Sequence, residues 1–191
     1  MDDKLRPVSP VLILLYGFPG AGKTYFSRQF CHEVQAAHLE EDRVRQEFFD
    51  QPNFSKQENH ALGRVMSFMT GEFLTAGVSV VYDSNVMRVA QRRSLRELAR
   101  KHKASVLTVW FQVDADTAFI RNFKRDRRKL DDRFAAGYDF DRFKAVTSHM
   151  QHPEPTEKYL VVSGKHSFIA QLSSVMKKMA DLNIVKQAAV S

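Results

Sequence analysis

A chain of 191 residues, 43% hydrophobic and 27% charged, has the size and composition of one folded domain over residues 1–191 and excludes a wholly disordered chain. Its longest apolar run, Val11 to Tyr16, is far shorter than the ~20 residues a membrane helix needs, so neither a membrane span nor a membrane partner is expected. The net charge of +7 is local: residues 88–103 sum to +6 and residues 121–133 to +4, which points to an anionic ligand near two segments or to solvated helix faces.

The run Val11 to Tyr16, bounded by Pro10 and Gly17, is too short for a helix and apolar on both faces, as a central parallel strand is. Runs at Ala36 to Leu39, Val78 to Tyr82, Ser105 to Val113 and Tyr159 to Val162 are also rich in strand formers, and helical patterns separate them. Leu62, Val65, Met69 and Phe73, then Leu95, Leu98 and His102, then Phe168, Leu172, Val175, Met179 and Leu182 recur at helical spacing and read as core-facing stripes. The alternation predicts a three-layer α/β/α domain around a mostly parallel five-stranded sheet. The weakest-structured stretches are expected at Met1 to Pro10, Asp50 to Lys56, Lys129 to Tyr138 and Gln187 to Ser191.

Gly17, Phe18, Pro19, Gly20, Ala21, Gly22, Lys23 and Thr24 match G-x-x-x-x-G-K-[ST] between the first strand and a helical stretch, Lys23 to Glu33. Glycines let successive backbone N–H groups turn inward, and the helix N-terminus adds positive potential. Lys23 supplies a cation for the β and γ phosphates, and Thr24 offers a hydroxyl to Mg²⁺. These residues, with Tyr25 beside them, are the expected cradle of ATP.

Beyond the loop, Asp83 ends a buried strand, where open α/β sheets place ligands. It reads as a carboxylate on the Mg²⁺ side of the site or as a helix cap, with Asn85 close by. Asp42 and Arg45, three apart, share a face if a helix starts after the second strand. Asp42 is then a base for a hydroxyl attacking the γ-phosphate and Arg45 a ligand for an acidic group on the acceptor. The bland alternative is a cap and a solvated cation, and Glu40 and Glu41 compete with Asp42 for the role of base. Arg121 and Arg125 fall on one exposed face, able to stack on adenine and grip the transferring phosphoryl group.

In this order, Gly17 to Thr24, Asp42-x-x-Arg45, Asp83-Ser-Asn85 and Arg121-Asn-Phe-Lys-Arg125 resemble the polynucleotide-kinase-like and zeta-toxin-like P-loop kinases, small ATP-binding proteins of AAA type. The resemblance covers about Val11 to Gly164. It implies a central phosphate-loop strand, a helical lid at about 121–140, Asp42 as general base, Arg45 on an acceptor phosphate, Arg125 on the donor phosphates and Arg121 beside adenine. The charged segment after Arg125 is longer than the lid turn of the polynucleotide enzymes, and residues His149 to Glu157 resemble a loop of other small ATP-binding proteins.

The expected activity is therefore transfer of the γ-phosphate of ATP, with Mg²⁺, to a hydroxyl on a polynucleotide or on a small molecule such as a sugar, nucleotide sugar or antibiotic. Arg88, beside Asn85, is a further acceptor contact, and Arg88, Arg92, Arg96 and Arg100 recur every four residues as a track for a nucleic-acid backbone. The rival reading is a module that binds or slowly hydrolyses ATP without an acceptor. Cys31, the single cysteine, excludes an intrachain disulfide and suits a reducing, cytoplasmic setting.

Overall fold

The computed structural model describes residues 4–84, 86–125, 134 and 137–186. Five strands, β1 (Val11–Tyr16), β2 (Ala36–Glu40), β3 (Ser79–Asp83), β4 (Ser105–Gln112) and β5 (Tyr159–Ser163), form one sheet in the order β2-β3-β1-β4-β5. Every pairing is parallel. The sheet is therefore wholly parallel, as right-handed crossovers through helices require.

Each crossover carries helical chain: α1 (Lys23–Glu33), α2 (Glu41–Phe48) and α3 (Lys56–Thr75), α4 (Val89–Lys101), then α5 (Ala115–Phe123) and α6 (Phe140–Thr147), with α7 (Phe168–Asp181) after β5. Strand β1 is buried along its whole length, and its alternation divides the core. Val11, Ile13 and Leu15 meet Phe26 and Phe30 of α1 and Val175 and Met179 of α7 on one face. Leu12 and Leu14 meet Leu62 and Met66 of α3 and Leu95 and Ala99 of α4 on the other. This double burial is why the strand is apolar without a period of two.

Two boundaries differ from the sequence reading. Strand β3 begins at Ser79 and includes Asp83, which pairs in register with Glu40, so both carboxylates leave the sheet at its carboxyl edge. The stretch before β1 is tied down: Leu5 bridges Val34, and the Val8 N–H donates to the Ile184 carbonyl at 2.8 Å. The expected lid is described through α5, Arg125 and α6, while residues 126–133 and 135–136 lie outside the described residues. No helix among the described residues is long and apolar enough to cross a membrane.

Candidate active site

The turn after β1 passes through Gly17, Gly20 and Gly22 with φ of 148°, 88° and 95°, backbone states that L side chains resist. At Gly20 a Cβ would also collide with the Ala118 carbonyl of α5. Both demands explain a glycine that the sequence motif itself leaves free. Helix α1 then starts with no side-chain cap and no acidic residue in its first turn. Its N-terminus is an open anion cradle.

Lys23 is folded back onto this loop, its Nζ donating to the carbonyls of Gly17 at 2.9 Å and Phe18 at 3.0 Å. Only 8% of the residue is exposed, and burial lowers the ammonium to about 8, opposed by the charge of Asp83. An anion arriving in the cradle would restore its charge.

Across from Lys23, the carboxyl edge of β2 and β3 presents four acidic groups, and the structure sorts them. Glu40 accepts from Arg28 Nη2 through both oxygens, at 3.2 and 3.1 Å. Glu41 accepts from Arg45 Nη2 at 3.0 Å and from the Ser84 hydroxyl. Asp83, buried, meets His38 Nε2 at 3.0 Å. Asp42 makes no such bond among the described residues, and burial, then the charge of Glu41, pushes its carboxyl up to about 7, with Arg125 pulling the other way. Of the three residues competing for the role of base, Glu40 and Glu41 are held by cations.

These groups line a cleft of about 530 Å³ together with Thr24, Arg125, Tyr138 and Arg142. Thr24 and Asp83 share it, which fits Mg²⁺: the ion keeps several waters and phosphate oxygens and needs only one or two protein groups. No cluster of three metal-binding side chains occurs among the described residues. Arg121, exposed, donates from Nη1 to the Gly164 carbonyl at 2.8 Å and so joins α5 to the turn after β5. Tyr25 stands exposed beside the loop. A second cavity, about 580 Å³, lies behind Gly17 and Phe18 and is bounded by Trp110, His152 and the Asp114–Lys165 ion pair.

Two expectations are corrected. Arg45 is 3% exposed and held by Glu58, Glu41 and Asn59, so its charge is already met and it braces α2 against α3 rather than waiting for an acceptor. Arg92 is fully buried. Its Nε and Nη2 donate to the two oxygens of Glu157 at 2.8 and 3.0 Å, and its Nη1 to the Val86 carbonyl at 3.0 Å. Arg96 lies 2.6 Å from the same carboxylate. The four-residue arginine track therefore does not exist as a surface: Arg88 and Arg100 alone stay exposed, about 18 Å apart along α4. Asn85 lies outside the described residues.

Sequence reasoning missed His38, whose ring holds Asp83 from the neighbouring strand, and Phe54, Tyr138 and Arg142. Phe54 carries one signal visible only in the fold, a φ of 56° that a bulky residue seldom adopts. Its N–H, like that of Asn53, donates to Glu58 Oε2, which turns the ring toward the cleft.

A family model described as an AAA domain matches residues 12–150. A curated relative, the L-seryl-tRNA(Sec) kinase of Methanococcus maripaludis, is 22% identical over 123 residues, 62% of this chain and 47% of the relative; the chain thus spans about half of that protein. Among solved structures, Kti12 of Chaetomium thermophilum, in complex with ADP–AlF3, superposes with a TM-score of 0.68 at 15% identity, covering 93% of this chain and 100% of that one. The Mycobacterium tuberculosis APS kinase CysC, in complex with AMPPNP and APS, gives 0.65 at 16% identity, covering 90% and 98%.

Proposed function

Because the chain belongs to the AAA domain family, we propose that it is a P-loop phosphotransferase that moves the γ-phosphate of ATP to a hydroxyl. One observation carries this reading: Asp42 alone among the acidic groups of the cleft edge is unengaged, half-buried and raised to about 7, facing the space next to Lys23. A module that only binds the nucleotide needs the phosphate loop but no base beside it. The names of two relatives, kinases for seryl-tRNA and for APS, agree with it.

The step balances simply. The acceptor oxygen forms a bond to the γ-phosphorus as the bond from that phosphorus to the bridging oxygen breaks, ADP leaves, and the hydroxyl proton passes to Asp42. Lys23 and the backbone N–H groups of Gly20 to Thr24 hold the phosphates in line, and Arg125 adds charge where the transferring group develops it. Thr24 and Asp83 would hold Mg²⁺, which would supply charge against the phosphates, and His38 fixes the orientation of Asp83. We assign the exposed guanidinium of Arg121, steadied by the Gly164 carbonyl, to the adenine ring.

The test is incubation with γ-labelled ATP and Mg²⁺ against oligonucleotides with a 5′-hydroxyl, nucleosides, sugars and aminoglycosides, following label transfer and free phosphate separately. Label on one acceptor class is the expected result. Tight ATP binding with only slow phosphate release across all classes would overturn the reading in favour of a switch.

A further inference from the structure

The acceptor side of the cleft carries charge that no carboxylate among the described residues pairs with. Arg142 of α6 lies with its guanidinium carbon 4.9 Å from the centre of the Phe54 ring and 4.5 Å from that of Tyr138. Ring faces attract a guanidinium without neutralising it, and they cover its plane while leaving the N–H edges open. Arg88 stands at the start of α4, exposed, with its backbone N–H held by Gln91 Oε1 at 3.1 Å and its side chain in no ion pair among the described residues. His149, exposed after α6, completes this wall. The positive end of the 13-residue helix α4 opens onto the same space.

Acidic groups nearby do not offset this. Glu40 is spent on Arg28, while Glu41 and Glu58 are spent on Arg45. Asp83 is turned to His38 and Lys23, and Asp42 stands at the reacting end. What remains of the described cleft lining on the acceptor side is cationic at Arg88 and Arg142, carried by α4 and α6 into one cleft. Such a pair matches a tetrahedral anion with several oxygens better than a neutral polyol.

We infer that the acceptor is itself a phosphate ester, its phosphate gripped between Arg88 and Arg142 while its hydroxyl lies at Asp42. This deepens the phosphotransfer reading and rests on it. Phe54 has a defined part: its left-handed backbone and the Glu58 clasp hold the ring against which Arg142 is set.

The experiment titrates the protein, saturated with AMPPNP and Mg²⁺, with two matched pairs: ribose 5-phosphate against ribose, and thymidine 3′-monophosphate against thymidine. In at least one pair the phosphate ester binds about 10-fold tighter or more, the worth of charge-assisted contacts, and which pair answers separates a sugar phosphate from a nucleotide. Arg88→Gln with Arg142→Gln abolishes that preference while AMPPNP still binds, and Arg142→Lys keeps part of it. Equal affinity within both pairs, no binding of either ester, or a preference that survives the double substitution overturns the inference. Label transfer from ATP, measured in parallel, separates the two readings. Transfer without any ester preference sinks this inference alone, and ester preference without transfer to any acceptor sinks the phosphotransfer reading.

Discussion

Two arginine groups sit within one helix turn of each other in this fold and are put to opposite uses. Arg92 and Arg96 face inward from α4 and converge on Glu157, whose backbone and carboxylate also tie down Glu154. Burial alone would raise the Glu157 carboxyl, yet the Arg92 hydrogen bonds hold it below the usual range. Arg88, four residues before Arg92, lines the cleft with no carboxylate partner among the described residues. The difference shows that an arginine is read by its partner and its place and not by its spacing: where a buried carboxylate answers it the residue is architecture, and the one left lining the cleft is the one we assign to binding.

The sharpest way to break that comparison is Glu157→Ala. It strands Arg92 as an uncompensated buried cation and should cost about 3–5 kcal/mol of stability, read as a lowered denaturant midpoint. The double change Arg92→Met with Glu157→Leu should recover most of the loss, because the pair is then removed whole. If Glu157→Ala is as stable as the parent yet binds AMPPNP poorly, the clasp belongs to the site and the contrast fails. On the cleft side, Asp42→Asn should lower label transfer about a hundredfold, the usual worth of a general base, with AMPPNP affinity kept. Unchanged transfer would remove Asp42 from the mechanism.

What could be read from the chain and what could not divide along the same line. Strand β1 and the phosphate loop are local patterns, six apolar residues and a glycine spacing, and both stand where the pattern puts them. Asp83 at a strand end is equally local. Arg92 could not be sorted from Arg88, because its partner lies 65 residues away, and the period of four looks the same for a solvated stripe and for one inward side chain. Asp42 could not be told from Glu40 and Glu41 until Arg28 and Arg45 were placed beside the latter two. Arg142 carried no motif at all. Its meaning depends on two rings, Phe54 and Tyr138, of which the first comes from the opposite side of the cleft.

The two raised and lowered groups of the cleft sharpen the comparison through pH. With Asp42 pushed up to about 7 and Lys23 brought down to about 8, transfer should rise as Asp42 ionises and fall as Lys23 loses its proton, giving a bell in kcat/KM. Stability moves against function. Asp42 is raised from 3.8, so its contribution is present below that value and lost as pH rises through about 7. Lys23 is lowered from 10.5, so its contribution is present above that value and lost as pH falls through about 8. Near pH 7.5 both ionised groups cost the fold, and Asp42→Asn and Lys23→Met should each raise the melting temperature of the ligand-free protein. A lower melting temperature for both would mean that these groups are stabilising contacts and not strained site residues.

The smallest effect is expected at Arg100, the far end of α4. It is exposed in the last turn of that helix, where a cation interacts favourably with the carbonyl end, so Arg100→Glu should cost only about 0.3–1 kcal/mol. Arg92 and Arg96, between it and the cleft, are committed to Glu157, which leaves Arg100 about 18 Å along the helix from Arg88. Transfer to a short acceptor and to a long oligonucleotide should therefore respond alike, which is to say hardly at all. A loss confined to the long oligonucleotide, and deepening as salt is lowered, would show that a backbone reaches this end of the helix by a route around the buried pair. That single result would restore to α4 the binding surface that its inward arginines deny it.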